Sequence, residues 1–140
     1  DNQERALFFG RSVIETIRNL GWQPDIVHAF GWMSGLLPML LRTEYANDEL
    51  FGDAKVIYTP DEVDFEAPFT EEHVARLNLP SDERILNQEP NTIAMAYADA
   101  VLYPPSIAPE GEAIQLAASD EEMKEQAVSY YEQVQNGVPA

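Results

Sequence analysis

The sequence contains no cysteine, so neither a disulfide framework nor a thiolate metal site can form. That absence fits a reducing compartment. Positive charge is scarce as well: 8 Lys and Arg stand against 25 Asp and Glu, a formal net charge of −17 with a pI near 4.1. The basic residues (Arg5, Arg11, Arg18, Arg42, Lys55, Arg76, Arg84 and Lys124) are scattered without a run. A field of that sign repels phosphate backbones and anionic lipid, which excludes nucleic acid and membrane surfaces as general partners. It also opposes an anionic sugar nucleotide unless basic groups are supplied locally, and its plain consequence is solubility. Long apolar runs are missing too. The longest, from Gly35 to Leu41, is interrupted by Pro38 and is far too short to span a bilayer. The opening Asp1-Asn2-Gln3-Glu4 is acidic where a secretory leader is basic, so a cytoplasmic location is expected.

What is present is the material of a core. Of 140 residues, 45% are hydrophobic and 10% aromatic, which suffices for one globular domain. Asp1 and Glu4 form a capping pair ahead of Ala6, Phe9, Val13, Ile17 and Leu20, which recur at helical spacing until Gly21. After Pro24, residues 25–29 read as a short strand. A helix over 32–45 follows, apolar on more than one face and therefore enclosed by its neighbours. A second strand covers 55–59, stopped by Pro60. Thr70 caps a helix over 71–77, Asn91 opens another through Tyr97, and residues 100–103 form a third strand ended by Pro104-Pro105. Residues 106–118 read as loop. Ser119 and Glu122 make a capping box for a last helix, marked by Met123, Ala127, Tyr130, Tyr131 and Val134 and ended by Gly137. Strands alternating with helices imply a parallel α/β sheet. Three strands are few for a doubly wound domain, and no strand with a Gly-rich turn precedes the first helix. Upstream strands are therefore expected outside this sequence, the alternative being a complete small α/β protein. Gly137-Val138-Pro139 reads as a chain end.

Three stretches carry a family likeness. Glu4 to Phe9, continuing through Leu20-Gly21-Trp22-Gln23-Pro24-Asp25-Ile26-Val27-His28, is similar to a helix and strand of bacterial glycogen and plant starch synthases. Tyr45-Ala46-Asn47-Asp48, Phe51 and Lys55-Val56-Ile57-Tyr58-Thr59 resemble the loop and strand that follow, and Tyr97-Ala98-Asp99-Ala100-Val101 the strand after that. The resemblance implies part of a Rossmann-like parallel sheet flanked by helices, in the first domain of a two-Rossmann-domain glycosyltransferase. Residues 1–140 would then be a single such domain or a fragment, the C-terminal portion of the N-terminal domain. Its family moves glucose from ADP-glucose onto an α-1,4-glucan with retention and without metal or other cofactor. The first domain holds the acceptor side and the second binds most of the nucleotide.

The family's strand-to-helix corner commonly reads His-x-His-Asp-Trp, followed by His or Gln. By that resemblance His28, Trp32, Met33 and Thr59 are the substrate-binding candidates. No residue is expected to be catalytic. Phe30 and Gly31 replace the second His and the Asp, and Met33 replaces the residue that approaches the sugar. Thr59 is followed by Pro60-Asp61-Glu62 where the family has a Thr-x-His-Asn turn. Met and Phe cannot donate the hydrogen bonds that a polar corner supplies. The Lys-x-Gly-Gly nucleotide loop of the family lies upstream of this segment. Activity is therefore not expected of this chain alone, and any α-glucan or ADP-glucose would be met through the intact parent. A non-catalytic relative that binds glucan or protein stands beside that reading. An unrelated nucleotide-binding α/β domain is a third reading, opposed by the missing Gly-rich loop.

Each candidate also has a structural reading. His28 serves either as a hydrogen-bonded residue at its strand end or as a sugar ligand. Trp32 either packs or stacks on a glucan, as does Trp22. His73 reads as solvated and without a role. Asp61, Glu62, Asp64 and Glu66 read as a solvated acidic loop, since the spacing of a calcium-binding EF-hand is absent. Tyr130 and Tyr131 read as packing residues. A half-sheet exposing an edge strand leads to an expectation of self-association.

Overall fold

The computed structural model describes residues 1–108, 114–115 and 120–136. Helix α1 (Asn2–Leu20) opens where the Asp1 carboxylate accepts the Glu4 N–H at 2.8 Å, and Gly21 closes it in the left-handed conformation. Glu4 does not return the cap; its carboxylate pairs with Arg76. The buried stripe is Gln3, Ala6, Leu7, Gly10 and Ile14, with Val13 and Ile17 beside it. Phe9 and Leu20, expected on the inner face, are exposed. The stripe turned because it is completed by Gln3 and Gly10, which a count of apolar residues passes over.

Strand β1 (Ile26–Phe30) lies parallel to β2 (Lys55–Thr59), with Ile26 opposite Lys55 and Phe30 opposite Thr59. Strand β3 (Ala100–Tyr103) adds to β2, and β4 (Ile114–Gln115) adds to β3, all parallel, in the order β1-β2-β3-β4. β4 falls in the stretch 106–118 that the sequence presents as loop; two residues are too few to show a period. The capping Ser119 and the terminal Gly137 lie outside the described residues.

Side chains alternate across the sheet with the period of two that a strand imposes. Val27, Ala29, Val56 and Tyr58 join the main core beneath α1, α2 (Leu37–Arg42) and α4 (Pro90–Tyr97). Ile26, Ile57, Ala100 and Leu102 face the other way, against Met123, Tyr130, Tyr131 and Val134 of α5 (Asp120–Gln135). Tyr130 and Tyr131 thus pack as expected.

The continuous helix expected over 32–45 is instead a 3₁₀ turn, Trp32–Ser34, then α2 alone. Two constraints divide it. A Cβ on Gly35 would stand 2.8 Å from the Pro90 carbonyl oxygen, so the start of α4 seats directly on this backbone. Pro38 lacks an N–H and belongs in a helix's first turn, where it is found. The expected enclosure holds: Leu36 to Leu41 are all buried. Helix α3 (Glu71–Arg76) is capped by Thr70 as read, and α4 begins one residue before Asn91.

Candidate functional site

Because β1 and β2 are parallel and in register, their carboxyl ends finish side by side, where open α/β sheets place ligands. The chain leaves β1 through Gly31 at φ 78 and ψ 165, a region essentially restricted to glycine. The Gly31 N–H donates to the Thr59 carbonyl at 2.9 Å, tying the corner to the end of β2. The Ser34 hydroxyl closes the turn from within, reaching the carbonyls of Phe30 at 2.7 Å and Gly31 at 3.1 Å.

Asp61 completes the corner. Its Oδ1 accepts the Trp32 N–H at 2.9 Å, and its own carbonyl accepts the Asn91 side-chain N–H at 2.9 Å. Asn91 Oδ1 in turn accepts the hydroxyl of the buried Tyr58. Burial raises the Tyr58 phenol above its ordinary range, the nearby Asp61 charge adding to it, so the hydroxyl stays protonated as a donor. The solvated acidic loop therefore needs a correction: Glu62, Asp64 and Glu66 are exposed, but Asp61 is half-buried and structural.

The four candidates are brought to one end of the sheet, with different surroundings. His28 and Thr59 touch, Nε2 to Oγ1 at 2.8 Å, and Thr59 is buried. His28 Nδ1 meets the Tyr131 hydroxyl of α5 at 2.5 Å, so both ring nitrogens have protein partners. Partial burial pushes the imidazole down to about 4. The ring is neutral at pH 7, donating from one nitrogen and accepting at the other. The Phe30 ring stacks on it at 4.0 Å between centroids and stays 61% exposed. Trp32 is half-buried against the main core and meets Phe65 edge-on at 5.0 Å. Met33 is half-buried in the turn. Trp22, by contrast, is 62% exposed.

His73 also needs correction. It is the third residue of a capping box: Nδ1 lies 2.9 Å from the Thr70 hydroxyl and Nε2 lies 3.2 Å from Asp1. Its carboxylate-rich neighbours in sequence suggested solvent, but two of its partners come from the cap and from the start of α1.

The corner carries little charge chemistry. Residues 28–34 and 59–61 include no Lys or Arg. Five of the arginines are engaged with carboxylates: Arg11 with Glu44, Arg18 with Glu15 and Asp48, Arg42 with Asp99, Arg76 with Asp1, and Arg84 with Asp82. Among the described residues no cluster of three or more His, Cys, Asp or Glu is placed to hold a metal ion, and no helix is long and apolar enough to cross a membrane. A cavity of about 600 Å³ lined by Glu71, Val74, Leu79, Asp82 and Leu86 among others shares no residue with the corner.

Sequence reasoning missed Asp61, Asn91 and Tyr58 as a set. The signal available was weak: an Asp two residues past a strand end, a position that commonly hydrogen-bonds to turn backbone.

Comparison with known proteins bears on this geometry. A family model described as the starch synthase catalytic domain matches residues 1–103. A glycogen synthase of Chlorobium limicola is 48% identical over 58 residues, 41% of this chain and 12% of that protein. One from Koribacter versatilis is 44% identical over 82 residues, 59% of this chain and 17% of that protein. The chain thus aligns with well under a fifth of the length of these relatives. The catalytic domain of starch synthase IV from Arabidopsis thaliana, bound to ADP and acarbose, superposes with a TM-score of 0.59 at 20% identity, covering 95% of this chain and 28% of that one. At that identity the match speaks for the fold, a Rossmann-like α/β sheet. With the family model covering the helix, the corner and all three principal strands, the chain belongs to the starch synthase catalytic domain family, alongside the glycogen synthases.

Proposed function

We propose that the chain is part of the acceptor-side Rossmann-like domain of a glucosyltransferase that moves glucose from ADP-glucose to an α-1,4-glucan, and that it is inactive alone. The reading rests on one observation above the others: the corner Phe30–Ser34 and the end of β2 are joined at the carboxyl edge of a parallel sheet, within the stretch the family model matches. Residues 1–140 make up one such domain or the later portion of one. His28, Trp32, Met33 and Thr59 stand at its substrate end, Met33 in the place that approaches the sugar and His28 and Thr59 held behind it by each other and by Tyr131. Retaining transfer needs cationic groups against the departing diphosphate. The corner has none, so they come from the rest of the parent, in a cytoplasmic setting. The intact parent incubated with ADP-glucose and glycogen should release ADP, and the 140-residue chain should not. No release by the parent across pH and acceptor would sink the reading.

A second reading is favoured by the exposed Phe30 ring beside Gly31 and Met33, an apolar surface where the family is polar. On it the domain is a non-catalytic relative that binds glucan or a protein partner, including a second copy through β1. Glycogen-retarded migration in native gels without ADP release identifies the glucan version. Dimer mass in light scattering identifies self-association.

A further inference from the structure

We infer that Asp61 is a positioning residue for the β1 corner, resting on the reading of that corner as the substrate side. The turn Trp32–Ser34 receives no side-chain cap from its own N-terminal residue, Gly31. First-turn N–H groups need an acceptor from elsewhere. Asp61 supplies it from 29 residues away, Oδ1 to the Trp32 N–H at 2.9 Å.

An independent observation places the same carboxylate in the volume that residue 31 leaves open. A Cβ built on Gly31 would stand 3.0 Å from Asp61 Oδ2 and 3.3 Å from its Cγ. The carboxylate of Asp61 therefore packs into the space beside Gly31 that a side chain at 31 would crowd. Asp61 is itself not loosely held. Its carbonyl is fixed by Asn91 of α4, and Asn91 by the fully buried Tyr58. Rigidity passes from the core of β2, through α4, to the backbone that presents Trp32 and Met33. Asp61 does not touch the sugar on this account; it sets where the turn stands.

Amide hydrogen exchange of the ¹⁵N-labelled 140-residue chain tests this without any ligand. Asp61→Ala should speed Trp32 N–H exchange ~10–100-fold, the loss expected for a bond to a charged acceptor. The Tyr58 N–H in the core of β2 should change less than ~3-fold. Asp61→Asn, which keeps an acceptor oxygen, should recover most of the Trp32 protection. If Asp61→Ala loosens the whole fold, the Asn variant alone decides by the same two amides. Unchanged Trp32 exchange in Asp61→Ala, or an Asn variant no better than Ala, overturns the proposal. Because no substrate is present, that result would leave the ADP-release and glycogen-retardation tests untouched.

Discussion

Removing the Tyr131 side chain tests how the end of β1 is shielded. In the native chain the His28 imidazole is held between the Tyr131 and Thr59 hydroxyls, under the Phe30 ring, and is pushed down to about 4 from its ordinary 6.5 by partial burial. In the unfolded chain it titrates at its ordinary value, so between pH 6.5 and pH 4 the unfolded state binds more protons. Stability from this residue is therefore complete above about 6.5 and is lost as pH falls toward 4. At 1.36 kcal/mol per unit the ceiling is about 3 kcal/mol, and solvent reaching a half-buried ring reduces it to about 1–2 kcal/mol. Tyr131→Ala opens Nδ1 to water. The His28 midpoint should rise toward 6.5, and the pH dependence of urea unfolding over that window should flatten. The Cε1–H resonance, followed from pH 3 to 8 and assigned with a His73→Gln control, reports the midpoint directly. A wild-type His28 titrating near 6.5, or a midpoint that Tyr131→Ala leaves in place, would refute the reasoning.

Gly35→Ala places a methyl against the Pro90 carbonyl and the Trp32 carbonyl, both backbone atoms, and should cost about 1–3 kcal/mol by thermal melting. Gly31→Ala should cost a similar amount, about 1–3 kcal/mol, through its positive φ. Tyr58→Phe leaves the Asn91 side-chain Oδ1 without its donor and should lower stability by about 1–3 kcal/mol in urea titration. The two tryptophans should separate: Trp32→Ala should cost about 1–3 kcal/mol, and Trp22→Ala less than about 0.5 kcal/mol.

The three main strands and the caps at Asp1 and Thr70 were legible in the sequence because each is local: a short apolar run, or an acceptor placed three residues before its donor. The inner face of α1 was legible only in part, since Gln3 and Gly10 do not look apolar yet share the buried stripe. The break at Gly35 comes from α4, far along the chain, pressing on the corner. Pro38 marked it without saying why. Most of the site's order is similarly nonlocal. Asp61 acts 29 residues from Trp32, and His28 is covered by a tyrosine 103 residues away. No spacing rule reaches that far. The resemblance located the corner and its four candidates, but two of the residues that hold the corner, Gly31 and Asp61, are ones where this sequence departs from the family's pattern.

The imbalance of acidic over basic residues has a consequence for anything anionic that approaches. All eight cations, paired or not, offset only eight of the 25 acids, so at a distance the chain acts as a net charge of −17. Most proteins that capture phosphorylated ligands lose affinity as salt is added, because screening weakens attraction. This chain has the opposite sign. Added salt should quicken the approach of an anionic ligand to this chain, while a neutral ligand should arrive at a rate indifferent to ionic strength.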